Sequence, residues 1–156
     1  MRNTEIIKKF VSAWSAQEEQ PKATKQDIKD AESILGFNLP KGYVDLVTIF
    51  GSVYCPDLLD TIVEEEADIP DVQNFDLPSD LIKNTEAYTG MGMPEGFVCF
   101  ASDCMGNMFC FKSDECKEHQ EAGIWFFDHD FCEIEKIFDN FKEWLEAYIV
   151  LATVNK

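Results

Sequence analysis

The stretch Phe97 to Phe111, FVCFASDCMGNMFCF, sets two apolar runs on either side of a polar centre. Each run is too short for a helix and is rich in aromatic residues and cysteine. Asp103, Gly106 and Asn107 supply the chemistry of a tight reversal, so the spacing predicts a β-hairpin. With regular strands, Phe97, Cys99 and Ala101 share one face and Val98 and Phe100 the other, while Phe109 and Phe111 stand opposite Met108 and Cys110. Both faces are then apolar. A strand apolar on both sides is covered on both, which predicts helices packed over the hairpin and the third apolar run, Ile124 to Phe127, beside it.

Outward from the hairpin, helical periodicity dominates. Ile6, Ile7, Phe10, Val11 and Trp14 recur at the spacing of an amphipathic helix, placed at about Asn3 to Glu19 and ended before Pro21. A second helix opens at Thr24, with Asp27 three residues on as the other arm of a cap. It carries Ile28, Ala31, Ile34 and Leu35 inward and stops at Gly36. Pro40 suits the first turn of a third helix whose stripe is Tyr43, Leu46, Val47 and Phe50, ending at Gly51. Val53 to Cys55 and Leu58 to Val63 are short candidate elements, and Glu64 to Asp76 reads as an acidic loop around Pro70. Ser79 is placed as the cap of a short helix to about Tyr88, and Met91 to Met93 reads as a loop with no phosphate-binding pattern. Ile134, Ile137, Phe138, Phe141, Trp144, Leu145 and Tyr148 predict a C-terminal helix from about Glu133 to Leu151. Helices, then strands, then a helix imply an α+β fold: a central, mostly antiparallel sheet built on the hairpin, packed by N-terminal helices and one C-terminal helix.

At 156 residues and 46% hydrophobic composition, one domain over 1–156 is expected. No apolar run approaches the ~20 residues of a bilayer span, and the charged, periodic N-terminus is unlike a signal peptide, so a cytoplasmic protein is expected. Its six cysteines sit mostly in apolar runs, where free thiols behave as small hydrophobes.

The net charge of −17 is unevenly placed. Between Gly42 and Ile82 there is no Lys or Arg, against Asp45, Asp57, Asp60, Glu64, Glu65, Glu66, Asp68, Asp71, Asp76 and Asp80. From Ser113 onward acids again outnumber bases, whereas residues 1–41 are nearly balanced. Such a field repels nucleic acid and draws in a basic partner, although a plain solubilising surface gives the same composition.

Other chemistry is poorly supported by the spacing. Cys104, Cys110, Cys116 and His119 make a conceivable zinc set, but lack a second CxxC, and two of the cysteines belong to the hairpin, so no metal and no cofactor is expected. His129, between Asp128 and Asp130, invites an acid/base reading, as does a pair with Cys132. A histidine hydrogen-bonded at the corner between the last strand and the last helix accounts for the same residues.

The segment IKDAESILGFNLPKGYVDLVTIFG, Ile28 to Gly51, resembles the opening signature of the SMI1/KNR4 proteins of the SUKH superfamily: a helix ending at Gly-Phe, a Leu-Pro, and an aromatic-bearing helix running to a glycine. FVCFASDCMGNMFCF resembles the family's strand, glycine-containing turn and strand. GIWFFDHDFCEIEKIFDNFKEWL resembles its third strand, its Asp-His segment at Asp128, His129 and Asp130, and its closing helix. The likeness covers about Thr24 to Ala147 and is weakest over 52–94.

The resemblance implies an α+β domain without catalytic residues. Many bacterial members are immunity proteins that bind and neutralise a secreted toxin, frequently a nuclease. Fungal relatives are regulatory proteins linked to cell-wall synthesis, which leaves a regulatory adaptor for an endogenous enzyme or scaffold as the alternative. The acidic surface suits the first case, because carboxylates can take the places of phosphates on a toxin's basic face. The expected partner-binding residues are Asp57, Asp60, Glu64, Glu65, Glu66, Asp68, Asp71 and Asp76, with Tyr54 and Phe75 as the desolvated centre. Asp80 extends this set, and Asp114, Glu115, Glu118 and Glu121 are a second choice. A small enzyme using Asp128, His129 or Cys132 is a third class, one in which single alanine substitutions abolish turnover without unfolding. The oligomeric state is left open.

Overall fold

The computed structural model describes residues 2–16, 18–117 and 121–154, with side chains through 153. Three helices come first: α1 (Asn3–Trp14), α2 (Lys25–Leu35) and α3 (Lys41–Ile49). A short α4 (Leu58–Glu64) precedes strand β1 (Asn74–Phe75) and helix α5 (Pro78–Gly90). Strands β2 (Phe97–Ser102), β3 (Met108–Lys112), β4 (Ile124–Asp128) and β5 (Glu133–Phe138) follow, and α6 (Phe141–Val154) closes the chain. All four strand pairings are antiparallel, in the order β1-β2-β3-β4-β5. The fold is α+β, as the element order implies.

The hairpin forms the sheet's middle, and its two faces build two cores. Val98, Phe100, Ala101, Phe109 and Phe111 pack with Phe10 of α1, Tyr43 of α3 and Trp144 and Tyr148 of α6. Phe100 and Phe111 stack at 4.0 Å with an 8° interplanar angle, and Trp144 lies within 5.7 Å of Phe75, Phe100 and Phe109. On the other face, Phe97, Cys99, Met108, Cys110 and Phe127 lie beneath Tyr88 of α5 and Met93. Ala101 departs from the expected alternation. A bulge between Cys99 and Ala101 adds a residue to β2 and turns Ala101 to the Val98 and Phe100 face.

Local caps act as their residues suggest. Thr24 and Asp27 make both arms of a capping box, and Gly36 closes α2 with φ +84°. Several boundaries differ from expectation. Helix α1 ends at Trp14, where Ser15 turns extended and the indole donates to the Tyr148 carbonyl 2.9 Å away. Ile34 is 70% exposed and Leu35 only partly buried, so α2 buries a narrower stripe. Helix α3 begins after Pro40 and stops before Gly51, and α5 starts at Pro78 with Ser79 already inside it.

The largest correction concerns residues 133–138, which form an edge strand rather than the first turns of the last helix. Their backbone pairs with β4, setting Ile134 opposite Phe127. Asn140 then starts α6 by accepting from the Glu143 N–H at 2.8 Å. No helix among the described residues is long and apolar enough to cross a membrane.

Candidate acidic interface

The acids of α4 face outward because the helix buries its opposite side. Leu58, Thr61 and Ile62, at the 3,4 spacing, point into the core, leaving Asp60, Val63 and Glu64 in solvent with Asp57 just before the helix. The helix ends in a Schellman turn, with Glu66 N–H bonded to the Val63 carbonyl and Ala67 N–H to that of Ile62. Glu66 occupies its left-handed position, φ +51°, where glycine is the usual residue. Asp57, Asp60, Glu64, Glu65, Glu66 and Asp68 are all exposed, and among the described residues none of them joins an ion pair.

Beyond Asp68 the chain turns inward. The Pro70 carbonyl accepts from the Tyr148 hydroxyl at 2.7 Å, and Gln73 N–H donates to the Ser102 carbonyl at 2.8 Å. Asp71 is only 5% exposed and accepts hydrogen bonds from the side chain and backbone of Cys104. Burial raises its carboxyl above the usual range, against those bonds, and the nearby Asp103 adds to the rise. Phe75 is 1% exposed and packs edge-on against Phe10. Neither residue can offer its side chain to a partner, which corrects their expected place at the surface: pairing of Asn74 and Phe75 with β2 pulls this end of the segment into the sheet.

Tyr54 and Asp76 lie elsewhere, in a cleft of about 460 Å³ shared with Ser52, Asn74, Asp80 and Ser102. Tyr54 is held there by a bridge to Asn74. Burial lifts the Asp76 carboxyl to about 6, opposed by the Asn84 amide at 3.0 Å and reinforced by Asp80. Thus six of the ten expected residues form one exposed arc, two form part of a separate acidic cleft, and two are core.

The second acidic group divides likewise. Asp114 is exposed beside Lys112, and Glu121 is exposed. Glu115 is engaged by the Trp125 indole at 3.0 Å, the Gly123 N–H at 3.2 Å and Lys136 at 3.7 Å, so it braces the β3–β4 connection. Glu118 and His119 lie outside the described residues.

The described members of the conceivable zinc set are spread apart: Cys110 contacts Cys99 beneath α5, Cys104 contacts Asp71, and Cys116 lies against the Lys112 carbonyl. No metal-holding cluster of three His, Cys, Asp or Glu occurs among the described residues. His129 stands at the turn between β4 and β5, not at a strand-to-helix corner, because residues 133–138 are a strand. Its Nδ1 lies 2.7 Å from the Asn107 side-chain oxygen and its Nε2 3.5 Å from Asp130. The Cys132 sulfur contacts the carbonyls of His129 and Met91 at 3.7 and 3.8 Å.

Sequence reasoning passed over Met105 and Phe131, which are 68% and 73% exposed on the two turns at this end of the sheet. Their signal was present: a large apolar residue stands inside each polar turn, CMGN and DHDF.

No curated protein matches the chain. The model of the SMI1 / KNR4 family (SUKH-1) matches residues 22–147. That span runs from the Thr24 cap through the five-stranded sheet and into α6, leaving out α1, and so takes in the segment that carries the acidic arc; the chain belongs to the SMI1/KNR4 family (SUKH-1).

Proposed function

We propose that this protein is an immunity protein, not an enzyme, which binds a cognate secreted toxin and neutralises it by stoichiometric occlusion in the cytoplasm. The observation that carries this reading is the arc of exposed carboxylates from Asp57 to Asp68, none of them in an ion pair among the described residues, on a member of this family. Six carboxylates in a stretch, Gly42 to Ile82, that holds no Lys or Arg give a local field that accelerates encounter with a cationic protein and rejects anionic bystanders. A nuclease toxin has such a cationic face, because it must hold phosphates. A carboxylate arc laid over that face blocks the substrate's own site, so inhibition follows from occupancy alone and needs no chemistry from the inhibitor.

The test is affinity capture on the immobilised protein from lysate and secreted fraction of the source organism, at low and moderate salt. Recovery of a basic, toxic polypeptide whose binding weakens with salt is the expected result. The double reversal Glu65→Lys with Asp68→Lys is expected to weaken that capture by roughly tenfold or more. Unchanged affinity removes the arc as the contact, and recovery of housekeeping enzymes alone replaces the immunity reading with that of a regulatory adaptor.

A further inference from the structure

We propose that the end of the sheet formed by Met91, Met105 and Phe131 is the apolar centre of the toxin interface, a docking surface for a cationic segment that also presents aliphatic or aromatic side chains. This rests on the immunity reading above and adds to it the desolvated contact that Phe75, buried in the core, cannot make.

Three sequence-distant turns build this surface. Met91 follows α5, Met105 stands on the β2–β3 turn, and Phe131 on the β4–β5 turn; they are 55%, 68% and 73% exposed. The turns are bound to one another. Tyr88 hydroxyl donates to the Gly106 carbonyl at 2.7 Å, Asn107 holds His129, and the Cys132 sulfur lies 3.8 Å from the Met91 carbonyl. Gly92 permits the close approach of its turn to the next, since a Cβ there would stand 3.1 Å from the Cys132 sulfur.

Each apolar side chain is presented by an ordered turn. Asp103 accepts from the N–H of Met105 and of Asn107, both at 2.8 Å, and from the Asn107 amide at 3.0 Å, which fixes the hairpin tip. Cys132 takes φ +52°, a conformation that non-glycine residues adopt at a cost, immediately after Phe131. Polar residues would serve both turns at least as well. Large apolar groups grouped on rigid, solvent-facing turns therefore mark a contact surface.

Charge identifies the occupant. No Lys or Arg occurs between Lys83 and Lys112 or between Lys117 and Lys136. Asp130 and Glu133 are exposed beside Phe131, and on the far side Cys104 of the hairpin tip contacts the buried Asp71, three residues beyond the exposed Asp68. An apolar centre with exposed carboxylates beside it, and no Lys or Arg in either turn, complements a cationic protein segment. A second copy of this chain would bring acids against acids across a two-fold contact, and an anionic membrane would be repelled.

The polypeptide captured by the wild-type protein is the probe. Met105→Ser with Phe131→Ser removes the apolar groups without changing charge, and Ile34→Ser serves as an exposed apolar control on α2. The double serine variant is expected to release the captured polypeptide roughly tenfold faster or more, with its salt dependence retained, while Ile34→Ser leaves release unchanged. In the wild-type complex, Met91 and Met105 are expected to be protected from peroxide oxidation. Equal release by wild type and double variant, or unprotected methionines, overturns this inference and leaves the immunity reading standing. Failure of the wild type to capture any basic polypeptide overturns both. A wild-type dimer that the double variant dissociates assigns the surface to a second copy and likewise overturns the inference.

Discussion

The Asn107 side-chain oxygen accepts from both the backbone N–H and the ring Nδ1–H of His129, at 3.1 and 2.7 Å. The amide's other end donates to Asp103, so the orientation of the side chain and the tautomer of the ring follow from the network. This one residue ties the hairpin tip to the turn between β4 and β5. Asn107→Ala leaves the His129 donors and an Asp103 oxygen without partners in a partly buried site. A loss of about 1–3 kcal/mol in urea unfolding is expected. His129→Ala removes the ring contacts with Asn107 and the exposed Asp130 but keeps the backbone bond to Asn107, and is expected to cost less; an equal or larger loss would mean that the imidazole carries more than these contacts.

Asp76 gives stability a definite pH dependence. Its carboxyl lies at about 6 in the folded protein against 3.8 ordinarily, so between those values the folded state keeps a proton that the unfolded chain has released. The unfolded state then binds fewer protons, and the contribution of Asp76 to stability falls as pH rises from about 4 to about 6. Above that window the ionised, part-buried carboxylate opposes folding by about 1–3 kcal/mol. Asp76→Asn preserves an acceptor for the Asn84 amide and removes the charge. It is expected to raise the melting temperature at pH 8 and to give no advantage at pH 4; a constant difference across that range would assign the effect to packing.

Elements defined by neighbouring residues were readable from the sequence: the Thr24 and Asp27 cap, the Gly36 stop, and the two apolar runs around Asp103. Those decided by distant partners were not. Glu133 to Phe138 satisfies both a helical spacing, through Ile134, Ile137 and Phe138, and a two-residue alternation over its first half, and pairing with β4 settles the choice. Ala101 changes face because of a bulge that depends on the match between β2 and β3. The acidic arc follows the same division. Asp57 to Asp68 could be placed in solvent from local charge. The burial of Asp71 and Phe75 is set by Cys104 and by Phe10, which are remote in the chain.

Glu66 separates stability from function. At φ +51° it holds a position where an L side chain costs about 1 kcal/mol or somewhat more. Its exposed carboxylate makes no ion pair among the described residues that would offset this. Glu66→Gly is expected to leave stability unchanged or raised by up to about 1 kcal/mol, the relief of strain being offset by the greater freedom of glycine in the unfolded chain. Under the immunity reading the same variant loses toxin affinity, because a carboxylate leaves the arc. A variant at least as stable that binds as tightly as wild type would show that Glu66 serves neither purpose.

Cys132 is the thiol expected to react first in the native protein. It is exposed, whereas burial pushes Cys55 and Cys116 up to about 12 and Cys110 well above its ordinary value. Cys104 is raised to about 11 by burial, with Asp71 and Asp103 adding to the rise. Because the thiolate is the reactive form, these four are protonated at pH 8 and slow, and Cys99 is shielded beneath α5. Titration with a disulfide reagent at pH 8 is expected to show one fast thiol per chain, lost in Cys132→Ser, and all six after denaturation. Cys132 follows Phe131 directly and touches the Met91 carbonyl, so a bulky adduct there crowds the surface those residues form. Labelled protein is therefore expected to retain its melting temperature while losing toxin capture. Capture that survives full labelling would place the contact away from the β4–β5 turn, on the acidic arc alone.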